Sequence, residues 1–139
     1  MPVEFTISQN GNPVKVTNSG ELVTAALAYD LSMYNEMSST GTAYNFYTPE
    51  SGKQFIITGF VAVSDKNITA DAIVEIYEAD SDDSTTVQKA LPKFAMTKNA
   101  VVSPTPLRIL VNQGVWVNAK TDDASIHLTM FGYYIDRLS

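Results

Sequence analysis

Apolar and polar residues alternate with a period of two along most of this 139-residue chain. That spacing places successive side chains on opposite faces of a β-strand. The clearest alternation covers residues 54–63 and residues 125–135, and clusters of turn-forming residues such as Ser64-Asp65-Lys66-Asn67 separate the segments. The spacing of these segments predicts an all-β fold, an antiparallel β-sandwich or jelly roll of about eight strands with an extended amino-terminal segment.

The amino-terminal end carries a strand pattern of its own. Val3, Phe5 and Ile7 alternate with polar residues, and Asn10-Gly11-Asn12-Pro13 follows with the composition of a turn. The alternation resumes after Pro13, which predicts a hairpin with a loop slightly longer than the tightest type.

A segment of mixed character follows this hairpin. Residues 21–37 suit a short helix as well as a strand at their start, and their alternation favours extended structure after Leu27. We therefore expect an amino-terminal β arm or hairpin over residues 1–20 and a jelly-roll β-sandwich domain over residues 21–139.

Composition excludes several classes of protein. The chain has no cysteine, which excludes disulfides, thiolate metal sites and cysteine nucleophiles. Its formal net charge is −6, and its few cations form no basic stripe, so we expect no binding to nucleic acid or to an anionic membrane. The first residues lack the basic start and apolar run of a secretory signal, and we expect synthesis in a cytoplasm.

Large apolar side chains occupy both faces of several predicted strands. A sandwich strand that meets water on one side alternates apolar with polar residues. Here the second face carries Ile56, Phe60, Trp116, Phe131 and Tyr133. Either loops and the amino-terminal segment cover these side chains, or the five residues form a subunit interface. The second interpretation, together with the low charge, predicts a homo-oligomer.

Catalytic chemistry has little support in the sequence. The only histidine, His127, lies between two apolar residues of the last predicted strand, and no Gly-x-Ser-x-Gly turn exists for a serine nucleophile. The paired carboxylates Asp122-Asp123 and Asp82-Asp83 lie in predicted turns, where aspartate is common for backbone reasons. We therefore expect no enzyme, no catalytic residue and no cofactor.

Metal and sugar binding also have limited support in the sequence. One histidine without cysteine argues against zinc, and no metal ligand is assigned. The cluster Asp80-Ser81-Asp82-Asp83-Ser84 leaves calcium open, although it lacks the EF-hand pattern. Trp116 with tyrosines such as Tyr133 could form a sugar-stacking platform, whereas strand aromatics are more often core or interface.

The stretch from Gly52-Lys53-Gln54-Phe55-Ile56-Ile57-Thr58-Gly59 to Gly132-Tyr133-Tyr134-Ile135 resembles small jelly-roll virion proteins of tailed bacteriophages. Two segments carry the resemblance, Val74-Glu75-Ile76-Tyr77-Glu78-Ala79 and Leu107-Arg108-Ile109-Leu110-Val111-Asn112-Gln113-Gly114-Val115-Trp116-Val117-Asn118-Ala119-Lys120-Thr121. The likeness covers most of residues 43–136 and consists of strands and turns without a catalytic signature.

The resemblance implies a structural role in a virion. Proteins of this kind decorate or cement capsids or serve as fibre or tail components, often as trimers. We therefore expect a capsid decoration or cement protein that forms a homotrimer, docks on a capsid or other virion protein and is located in the virion. The alternative is a carbohydrate- or receptor-binding β-sandwich module of a phage fibre or tail.

Overall fold

The structure, a computed structural model, describes residues 8–9, 12–13, 31–65, 71–104 and 106–136. The chain divides into two compact units, residues 1–30 and residues 31–139. In the first unit, β1 (Ser8–Gln9) pairs with β2 (Asn12–Pro13) in an antiparallel hairpin. The flanking segments of the predicted hairpin and the predicted boundary after residue 20 lie outside the described residues.

The second unit is built from strands alone in its described part, which confirms the predicted all-β class. Its strands are β3 (Leu31–Met37), β4 (Tyr44–Tyr47), β5 (Lys53–Ser64), β6 (Ala72–Ala79), β7 (Lys89–Met96), β8 (Val101–Val102), β9 (Ile109–Leu110), β10 (Trp116–Thr121) and β11 (Ile126–Asp136). The four-stranded sheet has the order β4-β10-β6-β7. The five-stranded sheet has the order β3-β11-β5-β8, with β9 also paired to β5. All pairings are antiparallel.

The core lies between the two sheets, as in a β-sandwich. Both sheets contribute alternate side chains to one cluster, for example Val74 and Ile76 from β6 and Leu128 and Met130 from β11, all fully buried. Tyr47 and Phe55 stack within it, with ring centroids 4.3 Å apart. The alternation seen in the sequence therefore reflects the two faces of each strand, because every second residue of each central strand packs against the opposite sheet.

One irregularity changes the face that the longest strand presents. In the β5–β11 ladder, Phe131 pairs with Gly59 and Gly132 pairs with Ile57, so Thr58 has no partner. Such a β-bulge shifts the alternation by one residue. Phe60, placed on the outer face by the sequence pattern, consequently packs in the core, at a ring-centroid distance of 5.0 Å from Phe94.

Strand β7 contains Pro92. The strand runs continuously from Lys89 to Met96, and its register against β6 shifts between Glu75 and Tyr77. Since β7 is an edge strand of its sheet, the missing N–H group of the proline can face away from the ladder.

A buried carboxylate fastens the connection between β9 and β10 to the four-stranded sheet. The Glu78 side chain on β6 is 2% exposed. Its two oxygens accept hydrogen bonds from the backbone N–H and the side-chain amide of Asn112, both at 2.9 Å. Lys89 Nζ lies 3.7 Å from the same carboxylate. These partners compensate for the loss of hydration on burial.

Replacing Glu78 tests this role. We expect Glu78→Ala to lower the free energy of unfolding by about 1–3 kcal/mol, because the Asn112 donors lose their acceptor. Denaturant titration measures the change. Glu75→Gln on the same strand is the matched control, since it keeps a side chain of the same shape beside the exposed Lys93 and the half-buried Lys120 and its cost should not exceed about 1 kcal/mol. An equal effect of the two substitutions would contradict this assignment.

Gly132 is required beside the bulge. A Cβ atom at this position would lie 2.3 Å from Phe55 Cζ and 2.4 Å from the carbonyl oxygen of Ile56. A contact with backbone cannot be relieved by rotating a side chain, so the strands would have to separate.

We expect Gly132→Ala to destabilise the fold by about 1–3 kcal/mol through overpacking. Thermal unfolding followed by circular dichroism measures this loss. The control is Gly52→Asn, because Gly52 has open space around it and asparagine tolerates its φ of +74°. Unchanged stability of Gly132→Ala would show that the close packing at the bulge is not formed.

Candidate interaction surface

The outward face of the five-stranded sheet is defined by strand β11. Its residues Leu128 and Met130 are buried in the core, so the alternating residues His127, Thr129 and Phe131 point away from it. Residues opposite one another in a ladder share a face. The pairing register therefore assigns the outward residues of the neighbouring strands.

This outward face is predominantly apolar, and we refer to it as the apolar face. Nine large apolar side chains of it stand outside the core cluster. They are Tyr34, Ile56, Val61, Val63, Val101, Leu110, Phe131, Tyr133 and Ile135. Val101 is 63% exposed, Tyr34 58%, Leu110 49% and Val63 38%, whereas Ile56 is buried and the other four are half-buried. Scattered apolar residues on a surface are ordinary, but a contiguous set of this kind marks an interaction site.

Ionisable groups are rare on the apolar face. Among the outward residues of its described strands, Glu36 is the one carboxylate and His127 the one imidazole. The Tyr34 hydroxyl lies 2.8 Å from His127 Nδ1, and the two rings stack with centroids 6.2 Å apart. Glu36 accepts a hydrogen bond from the Ser125 hydroxyl at 3.0 Å.

The outward face of the four-stranded sheet has the opposite character. Glu75 lies between two cross-strand lysines, 3.5 Å from Lys93 Nζ and 3.6 Å from Lys120 Nζ. Lys120 also lies 5.1 Å above the ring of the buried Tyr77. The fully buried Asn118 donates through its amide to the carbonyl oxygens of the β6–β7 connection at 2.9 and 3.1 Å. The charged side chains of this face are therefore ion-paired, and the β6–β7 connection covers Tyr77 and Asn118.

An open depression of about 810 Å³ lies on the same charged face. Its charged lining consists of Glu75, Asp122, Lys93 and Lys120. Two carboxylates and two ammonium groups give the lining no net charge. Asp122 is also engaged, because its carboxylate accepts a hydrogen bond from the Ile73 N–H at 2.6 Å. The charges of this lining therefore favour neither an anionic nor a cationic ligand.

The five residues predicted to form a subunit interface fall in three places. Ile56, Phe131 and Tyr133 lie on the apolar face, with Ile56 between Tyr133 and Leu110 in the ladder. Phe60 lies in the core, because the bulge at Thr58 shifts the alternation of β5 by one residue. Trp116 lies half-buried on the outward face of the other sheet, because its neighbour Val117 packs in the core.

Several members of the apolar face were not identified from the sequence. Strict alternation from Phe55 and Ile57 places Val61 and Val63 on the same side as those two core residues, whereas the bulge turns them outward. The glycine at position 59 was the available signal, because a glycine inside a strand often accompanies a bulge. Val101 and Leu110 belong to strands of two residues each, which carry no periodicity to read.

The predicted sugar-stacking pair is not brought together within one chain. Trp116 lies on the four-stranded sheet and Tyr133 on the five-stranded sheet, facing away from each other across the sandwich. Tyr77 and Tyr47 are buried. Tyr134 packs against the core, and burial, followed by the negative charge of Glu50, raises its pKa to about 12.

Carboxylates that are candidates for catalysis or calcium binding hold turns in the structure. Asp123 accepts a hydrogen bond from the Ala124 N–H at 2.9 Å, and Asp83 accepts one from the Ser81 hydroxyl at 2.8 Å. The described residues contain no cluster of three or more histidine or acidic side chains arranged for a metal ion.

Comparison with protein-family models, with curated proteins and with solved structures found no match. Within the described part of the chain, no helix has the length and hydropathy needed to cross a membrane. The apolar face is therefore the feature on which a functional proposal rests.

Proposed function

We propose that this chain is a non-enzymatic structural protein that associates with copies of itself through the apolar face. We propose further that it is a bacteriophage virion component, a capsid decoration or cement protein. In this role a homotrimer, synthesised in the host cytoplasm, docks on a capsid or other virion protein. The observation that carries the proposal is the difference between the two outward faces, one charged and one apolar.

The size of the apolar face allows a contact of modest area. Strands β5 and β11 have 12 and 11 residues, β3 has seven, and β8 and β9 have two each. At about 3.3 Å per residue and about 4.8 Å between strands, these strands cover roughly 540 Å². That is below the roughly 800 Å² that each partner buries in a standard protein–protein interface and within the range of weaker contacts.

The distribution of charge favours a second copy as the partner. Two chains of net charge −6 repel each other unless their charges remain apart and hydrated. When two apolar faces meet, the ion-paired groups around Glu75 stay on the far side of each sandwich, in solvent. Among the outward residues of the described strands of the apolar face, Glu36 is then the carboxylate that lies at the contact.

The order of strand pairing supports the jelly roll that the resemblance implies. The first strand of the second unit pairs with the last, β3 with β11, and β4 pairs with β10. Further inward, β5 pairs with β8 and β9, and β6 pairs with β7. Nested pairs of this kind arise when one long antiparallel hairpin wraps into two sheets, as in a jelly roll.

A charge placed on the apolar face tests the self-association. We expect Val101→Glu to weaken association at least tenfold, because a buried carboxylate without a partner costs more than the roughly 1.4 kcal/mol that a tenfold change represents. Sedimentation velocity across a concentration series measures it. Thermal stability should stay unchanged, since Val101 is 63% exposed and stands outside the core cluster.

The matched control is Thr86→Glu, which adds the same charge at an exposed position between β6 and β7. It should associate as the unchanged protein does. A protein that stays monomeric at high micromolar concentration contradicts the self-association. The virion assignment is tested in a host that produces both the virus particles and this chain. Purified particles that lack the chain contradict the assignment.

A further inference from the structure

The five-stranded sheet ends on one side at β3, and the ladders show which way the backbone groups of this strand point. In an antiparallel ladder, residues that exchange hydrogen bonds with the neighbouring strand alternate with residues that point away from it. The Ser64 N–H donates to the carbonyl oxygen of Ala100, just before β8, at 3.0 Å, so Ser64 points away from its ladder partner Ile126. Phe55 accepts a bond at 2.9 Å from the residue that follows β9, so it points away from its partner Tyr134. The even-numbered residues of β11 therefore form their hydrogen bonds on the side of β3.

Three residues of β3 consequently face outward from the sheet. The odd-numbered residues of β3 lie opposite the even-numbered residues of β11 and bond to them. Ser32, Tyr34 and Glu36 therefore direct their backbone N–H and C=O groups away from β11. The Glu36 carbonyl oxygen accepts the Ser38 N–H at 3.0 Å, and within the described part of the chain no strand pairs with this edge. The Tyr34 side chain reaches across to His127 on β11, away from the edge.

The other edges of the two described sheets are protected against pairing. A row of unpaired backbone groups invites another strand, and proteins protect their edges with proline, short strands or covering groups. Strand β7 contains Pro92, and the Asn35 amide donates to the carbonyl oxygen of Asn45 on the four-residue β4 at 2.7 Å. Strands β8 and β9 have two residues each, with Pro104 and Pro106 between them. Strand β3, in contrast, has seven residues without proline or lysine, and all seven pair with β11 in one unbroken register.

We propose that β3 pairs with β3 of a second copy, in antiparallel orientation about a two-fold axis, so that the two five-stranded sheets become one continuous sheet. The pairing adds a strand to an exposed sheet edge, as in β-augmentation. It uses the backbone of the edge, so it is additional to the self-association through the apolar face and does not depend on it. Because a two-fold contact joins copies in pairs, it is distinct from the contact that closes a homotrimer.

The sequence of β3 is complementary to itself in one register. When Tyr34 lies opposite Tyr34 of the second copy, Ser32 lies opposite Glu36 of that copy, and the outward groups of all three residues meet. Glu36 is the one charged residue of β3, so this register places no carboxylate opposite another. A shift by two residues in either direction would leave one of the three outward residues without a partner on the second β3. The favoured register therefore follows from the positions of the outward groups and of the single charge.

Amide hydrogen exchange of the full chain, read by nuclear magnetic resonance across a concentration series, tests the pairing. At low concentration the N–H groups of Ser32, Tyr34 and Glu36 should exchange freely, whereas that of Met33, which bonds to β11, stays protected. At high concentration the exchange of the three outward groups should slow at least about tenfold, because a bonded amide exchanges only when its structure opens. Protection at every concentration would show that another part of the same chain covers the edge. That result, or free exchange at every concentration, overturns the proposal.

Substitution at Ser32 tests the same contact by sedimentation equilibrium. Ser32→Pro removes an N–H group that faces away from β11, which an edge strand tolerates, so the fold should be retained. The two-fold axis places this loss in both halves of the contact, and the dissociation constant should rise at least about tenfold. The matched control is Ser32→Ala, which loses the same hydroxyl, keeps the N–H group and should pair as the unchanged protein does. Equal association of the two variants contradicts the pairing.

The Val101→Glu variant separates this contact from the one through the apolar face. Val101 lies on β8, at the opposite edge of the sheet from β3, so the pairing of β3 should persist in this variant. A Val101→Glu protein that is monomeric at high micromolar concentration contradicts the pairing and leaves the association through the apolar face standing. Dimers that Ser32→Pro abolishes and Val101→Glu leaves unchanged support the pairing and contradict the association through the apolar face. Circular dichroism establishes that each variant is folded.

Discussion

The unpaired residue Thr58 determines which side chains of the longest strand meet the core and which meet the surroundings. Without it, Phe60 and Ala62 would point outward, and Val61 and Val63 would pack between the sheets. With it, an aromatic ring joins the stack with Phe94 in the core, and the two valines join the apolar face. Gly132 permits the close contact with Phe55 that the shifted register requires. The candidate interaction surface therefore depends on one bulge in the central ladder of its sheet.

The outward faces of the two sheets differ in how their side chains interact with water. On the four-stranded sheet, Glu75, Lys93 and Lys120 satisfy one another and remain hydrated, and the buried Asn118 finds backbone partners. On the five-stranded sheet, side chains such as Val101 and Leu110 stay exposed without any polar compensation. Exposing apolar side chains to water costs free energy, and association removes that cost by burying them. This contrast, rather than any catalytic constellation, is the basis of the proposed function.

Hydrogen bonds of acidic side chains stabilise the turns and connections of the sandwich. The paired carboxylates that could suggest catalysis hold the ends of strands together, since Asp122 binds the Ile73 N–H and Asp123 binds the Ala124 N–H. Glu78 fixes the connection that leads from β9 into β10. These polar side chains thus stabilise the sandwich that presents the apolar face.

The alternation of residues along the chain was enough to predict an all-β fold, most strand positions and the turns between them, because period-two patterning has a local cause. It also identified an excess of apolar residues and placed Ile56, Phe131 and Tyr133 among them. It could not place Phe60, since strict alternation does not reveal where a strand takes an unpaired residue. Nor could it show that Trp116 and Tyr133 belong to opposite faces, or that Val101 and Leu110 adjoin β5. Those facts depend on which strands pair and in which register, and long-range pairing is decided only when the two sheets pack.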